Sequence, residues 1–128
     1  MEKINYKKVL KDLYNASASK FSLVEVPEMN YLMVHGEGDP NTAKSYADAI
    51  QALFSVSYTL KFMIKKGPGA IDYGVMPLEG LWWTDDMAQF NQDDKSNWKW
   101  TAMIMQPDIL SKDEVEEAIS LTAEKKEL

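Results

Sequence analysis

The chain has no cysteine, no arginine, a single histidine and no long apolar run in its 128 residues. Without cysteine there is no disulfide, no thiolate nucleophile and no zinc–thiolate site. All 14 cations are lysine and the net charge is −6, so the bidentate fork that reads phosphate or guanine is missing and the overall field repels nucleic acid. No apolar stretch approaches the roughly 20 residues that span a bilayer. The first residues, "MEKINYKKVLKDLY", mix acids and bases without the apolar centre of a signal peptide, so a cytoplasmic protein away from membranes is expected. One histidine without clustered acids leaves no expected metal centre or cofactor.

What is present is apolar and aromatic: eight methionines, four tryptophans, six tyrosines and four phenylalanines. The length suits one compact unit. We divide it into an N-terminal helical and linker segment over 1–22, ending in the small, polar "NASASK", and a folded module over 23–128. Asn30–Glu37 alternates apolar and polar side chains and reads as a strand ended by Gly38. Asp39-Pro40-Asn41 offers a helix start. The stripe Ile50, Leu53, Ser57, Leu60, Ile64 and the neighbouring stripe Phe54, Tyr58, Phe62 predict a long helix buried on more than one side, stopped by Gly67-Pro68. "DYGVMPLEGLWWTD" reads as two short extended pieces, bent or at a sheet edge because of Pro77 and Gly80. "DMAQFNQDDKSN" is a polar hairpin connection leading to "WKWTAMIMQP", a period-two strand. Ser111 and Glu114 form a capping box ahead of a last helix with apolar positions Val115, Ala118, Ile119 and Thr122. The fold class is therefore α+β, an antiparallel sheet with a long helix packed on one face.

The chemistry concentrates in "MPLEGLWWTDD" and the second tryptophan pair, Trp98 and Trp100. Neighbouring strand residues face opposite sides, so one of Trp82 and Trp83 joins the helix-facing core and the other lines something else. Two readings stand level: cross-strand structural pairs, or an aromatic box for flat or cationic ligands together with Tyr73, Tyr58 and Phe54. Glu79, between Pro77 and Gly80 and followed by "LWW", is the candidate acid, base or counter-ion. An exposed turn glutamate is its equally weighted alternative. Asp85 and Asp86 read as loop-capping acids, and His35 as a hydrogen-bonded structural residue on its strand. The Gly-x-Gly of "HGEGDPN" lacks the third glycine and the Gly-Lys pair of a nucleotide loop.

Several blocks in order, "VPEMNYLMVHGEGDPN", "YADAIQALFSVSYTLKFMIKK", "DYGVMPLEGLWW" and "WKWTAMIMQPDIL", resemble the GyrI-like small-molecule-binding family, in its stand-alone bacterial branch. The resemblance implies a βαββ module, half of the effector-binding fold of bacterial transcription activators. Such modules are normally duplicated, with a ligand groove between the repeats. It also implies an aromatic cage drawn from Tyr73, Trp82, Trp83 and Trp98 or Trp100, with Glu79 in the same motif. Some stand-alone members resemble cyclopropanoid hydrolases that detoxify DNA-alkylating compounds. This chain carries one module where the family carries two, so homodimerisation is expected, with a missing second module as the alternative. The competing class is a protein–protein module using the same tryptophans as an interface.

Overall fold

The computed structural model describes residues 2–14, 26–85 and 95–126. Its frame is a three-stranded antiparallel sheet in the order β2-β5-β4, built from β2 (Asn30–Glu37), β4 (Leu78–Trp83) and the central β5 (Lys99–Gln106). Eight residues of β2 pair with all eight of β5, from Asn30 opposite Gln106 to Glu37 opposite Lys99. On the other side β4 runs from Leu78 opposite Ile104 to Trp83 opposite Lys99. A separate parallel pair joins β1 (Glu2–Ile4) to β3 (Ile71–Tyr73). The architecture is α+β, with an antiparallel sheet and a long helix on one face.

That helix is α3 (Lys44–Lys66), and alternation along β5 decides what it touches. Trp100, Ala102 and Ile104 point to one side, where they form a buried cluster with Ala49 and Leu53 of α3. Tyr46 of α3 stands edge-on to the Trp100 ring with centroids 4.9 Å apart. Gln106, on the same side, donates to Ser57 of α3 at 3.1 Å, so two buried polar side chains satisfy each other. A second cluster, with Val56, Leu60, Tyr73, Leu110 and Ala118, ties α3 to β3 and to α4 (Lys112–Lys126). Asp72 of β3 lies 3.5 Å from Lys61 and 3.9 Å from Lys65, which anchors the small sheet to the end of α3.

The capping box stands as read: the Glu114 carboxylate accepts from the Ser111 N–H at 2.9 Å and the Ser111 hydroxyl accepts from the Glu114 N–H at 3.1 Å. The strand over Asn30–Glu37 also stands, and Gly38 leaves it with φ of 118°, a conformation that favours glycine. Three expectations are corrected.

The long helix starts at Lys44, not at Pro40. Asp39 instead closes a turn, its carbonyl accepting from Thr42 and Ala43 and its carboxylate from Asn41, with Pro40 fixing φ inside it. The N-terminal helical segment begins as the strand β1, drawn into pairing with β3, and continues as two one-turn helices, α1 (Tyr6–Val9) and α2 (Lys11–Tyr14). The stripe Phe54, Tyr58, Phe62 is not buried throughout: Tyr58 is 48% and Phe62 46% exposed. Helix α4 meets α3 one step round, where the Thr59 and Thr122 hydroxyls lie 3.1 Å apart, and leaves that stripe outside. The "NASASK" linker and most of the hairpin connection lie outside the described residues. Among the described residues no helix is long and apolar enough to cross a membrane.

Candidate functional site

We term the face of the sheet away from α3 the trough, from its buried central strand and more exposed edge strands. Its floor is the central strand, with Thr101 2% and Met103 9% exposed. Its sides come from the two edge strands: Glu79, Leu81 and Trp83 on β4, and Tyr31, Met33 and His35 on β2. Leu81 and Met33 are well exposed, so apolar surface is presented here instead of being covered.

One end of the trough carries the polar centre. Helix α2 ends at Tyr14, whose hydroxyl donates to Oε2 of Glu79 at 2.8 Å across 65 residues of sequence. Tyr31 of β2 lies close enough to Tyr14 and Glu79 for both to act on its hydroxyl. Tyr6, Leu10, Tyr14, Met29 and Tyr31 pack against the cluster that contains Met105, so the chain before β2 builds a wall at this end. Beside the wall lies a cavity of about 490 Å³ lined by Tyr6, Leu10, Met29, Met105 and Gln106 among others, in the size range of small-molecule sites.

Burial is the first cause raising the Tyr14 hydroxyl above its ordinary range, followed by its hydrogen bond to Glu79 and that carboxylate's charge. Burial also raises Tyr31, with the Glu79 charge adding and the Tyr14 hydrogen bond opposing. Tyr73, in the second core cluster, is raised by burial first. The folded protein therefore holds these protons where the unfolded chain releases them, near pH about 10. Below that pH the contribution to stability is complete; above it the folded state binds more protons than the unfolded state and stability falls as pH rises. Urea midpoints at about pH 8 and about pH 11 should show that fall. Tyr14→Phe should make it shallower while costing about 1 kcal/mol at neutral pH for the lost hydrogen bond. An equally steep fall in Tyr14→Phe would refute the assignment.

The aromatic residues singled out in the sequence fall in several places. Glu79 and Trp83 share the trough face four residues apart on β4. Trp82 and Trp100 are register partners on the opposite, helix-packed face; Trp100 is 1% exposed, whereas Trp82 lies over Gly80 and is 39% exposed. Trp98 is buried just before β5, with Lys95 Nζ 5.1 Å from its ring centroid. Tyr73 is buried in the second core cluster. Phe54 and Tyr58 stand on α3 beside a groove of about 600 Å³ that also includes Phe62 and Leu121. Sequence reasoning missed Tyr14 and Tyr31, the two hydroxyls that complete the polar centre. Tyr14 sits in a segment whose periodicity reports only helix, and no local signal places it on Glu79. Among the described residues no group of three His, Asp or Glu side chains could hold a metal ion.

A model of the GyrI-like small molecule binding domain matches residues 19–125. No curated protein matches the chain. Among solved structures, an uncharacterized conserved protein from Listeria innocua is 36% identical with a TM-score of 0.86, and 97% of this chain covers 60% of that one. A hydrolase from Listeria innocua is 38% identical with a TM-score of 0.83, with 98% of this chain on 61% of it. A further Listeria innocua hydrolase is 37% identical with a TM-score of 0.78, with 97% of this chain again on 61% of its length. The chain thus spans about three-fifths of the length of these relatives.

Proposed function

The chain belongs to the family of GyrI-like small molecule binding domains, and we propose that its trough face binds flat, hydrophobic ligands that carry a cation or a hydrogen-bond donor. The observation that carries this reading is the Tyr14 hydroxyl donating to the Glu79 carboxylate, with Tyr31 close by, beside exposed apolar side chains. Tyr14 orients Glu79 and leaves carboxylate lone pairs for a ligand, while Trp83 and the methionine floor offer polarisable, adaptable surface. In the cell, such a protein would act in the cytoplasm on lipophilic toxins. Hydrolysis is the enzymatic extension, supported by the two relatives named as hydrolases: Glu79 would take a proton from water as its oxygen attacks a cyclopropane carbon, the ring C–C bond to that carbon would break with its electron pair passing into a carbonyl conjugated to the ring, and that oxygen would then take up a proton.

Tryptophan quenching by 9-aminoacridine, a planar cation, tests the binding reading. Saturable quenching is expected, weakened about tenfold by Glu79→Gln, which keeps the shape and removes the charge. Turnover of a cyclopropane-bearing alkylator, abolished in the same variant, is required for the hydrolytic extension. Absence of saturable quenching in the parent protein sinks the binding reading.

A second reading rests on the half-exposed Tyr58 and Phe62, which form an apolar stripe along α3. In this reading a second copy of the chain covers the stripe, as aromatic side chains dominate interface energetics. Sedimentation should then show a dimer, converted to monomer by Phe62→Glu. Dimers that persist in that variant remove the stripe from the interface.

A further inference from the structure

His35 is the one side chain with imidazole chemistry in the molecule, and the proposed binding of ligands by Glu79 and Trp83 leaves it without a part. It stands on the trough face of β2, is exposed, and lies directly across from Thr101 of the floor. Its Nδ1 is 2.7 Å from the Thr101 hydroxyl oxygen. Thr101 is 2% exposed, and among the described residues its side chain makes no other hydrogen bond. A buried hydroxyl with one acceptor in reach donates to it. Nδ1 is then the acceptor and the neutral ring carries its proton on Nε2, the edge turned away from Thr101.

Glu79 and His35 therefore face the same trough from opposite edge strands with opposite hydrogen-bonding character. Register places them two strands apart and two residues out of step, because Glu79 is level with Met103 and Met33 while His35 is level with Thr101 and Leu81. Strand spacing and rise put their Cα atoms about 12 Å apart. Between them, among the described residues, the strands carry Met103, Met33 and Leu81, with the Thr101 hydroxyl engaged by His35.

We propose that His35, held by Thr101, is a specificity-determining residue that donates from Nε2 to a carbonyl or similar acceptor on the ligand. The preferred ligand class is an elongated planar aromatic with a donor or cation at one end, read by Glu79, and an acceptor at the other, read by His35. A second cation at the far end is disfavoured, since it would meet the Nε2 proton. This assignment rests on the trough being the binding surface, and the experiment separates the two.

Two probes with one ring system suffice: 2-aminoanthracene, with a donor at one end only, and 6-aminoanthracene-2-carboxamide, which adds the acceptor at the other. Dissociation constants are read from tryptophan quenching. The parent protein should bind the carboxamide about tenfold more tightly, the worth of one well-placed hydrogen bond. His35→Ala should make the two probes equal. His35→Gln, which retains a donor, should restore part of the preference. Equal binding of both probes by the parent, or a preference that survives His35→Ala, overturns the role of His35 and leaves the trough reading standing. Failure of the parent to bind either probe overturns both.

Discussion

Replacing Trp100 with alanine is expected to cost about 3–5 kcal/mol, among the larger effects of any single substitution in a chain this size. The indole is 1% exposed, sits mid-sheet on the central strand, and takes the Tyr46 ring edge-on at 4.9 Å. Truncation removes its apolar area from the cluster with Ala49, Leu53 and Ile104 and leaves a cavity that sheet and helix cannot both close. Urea unfolding should show a much lower midpoint with little change in slope. Trp100→Phe should be milder for two reasons. It keeps most of the ring, and it removes an indole N–H that finds no hydrogen-bond partner among the described residues. A loss below about 1 kcal/mol in Trp100→Ala would mean that the cluster is not the centre of the core.

The second large effect belongs to Gly36, directly across from Trp100 in the register. A Cβ at position 36 would fall among the six-membered-ring atoms of the Trp100 indole, well inside van der Waals distance. The glycine is there for close approach, and the indole occupies the space a side chain would fill. Gly36→Ala should therefore cost about 1–3 kcal/mol through overpacking, although alanine is ordinarily tolerated in a strand. The decisive measurement is the pair: once Trp100 is alanine, the methyl group has room, so the double variant should be more stable than the sum of single losses by about 1 kcal/mol or more. Strict additivity would show that the indole does not lie over Gly36. The same logic holds more weakly at Gly80, where Trp82 lies over the glycine but is partly exposed and freer to move.

These two residues also show how far the sequence can be read. Alternation along "WKWTAMIMQ" puts Trp100, Ala102 and Ile104 on one face from period alone, and the structure has them there against α3. The same rule, applied to adjacent Trp82 and Trp83, correctly separates the pair. It cannot say which one goes to the helix side, because that depends on the register of β4 against β5. Register follows from contacts between strands whose connection runs through more than a dozen residues, and a shift by one residue would exchange every side chain between faces. With Leu78 opposite Ile104, Trp83 rather than Trp82 shares the trough with Glu79.

The N-terminal segment illustrates the opposite limit. "MEKINYKKVLKDLY" has a plausible helical pattern, but pairing with β3 draws its first residues into a strand, and tertiary contacts override a weak local preference. The consequence reaches the site, because the end of this segment delivers Tyr14 to Glu79. His35 behaves likewise: its place on a strand was legible, but its partner Thr101 and its sharing of a face with Glu79 come from pairing across the sheet.

By itself the sequence determined the local and the excluded: the strand over 30–37, the long helix and its stop at Gly67, the Ser111–Glu114 cap, the family, and the absence of thiolate and arginine chemistry. Each of these is set by residues a few positions apart, or by residue types that are simply missing. The tertiary structure alone decided which aromatic meets which face, that Tyr14 and Tyr31 complete the carboxylate's surroundings, and that the Tyr58 and Phe62 stripe stays exposed. Those outcomes turn on register and on which helix packs where, quantities fixed by contacts between segments tens of residues apart, for which period and propensity carry no information.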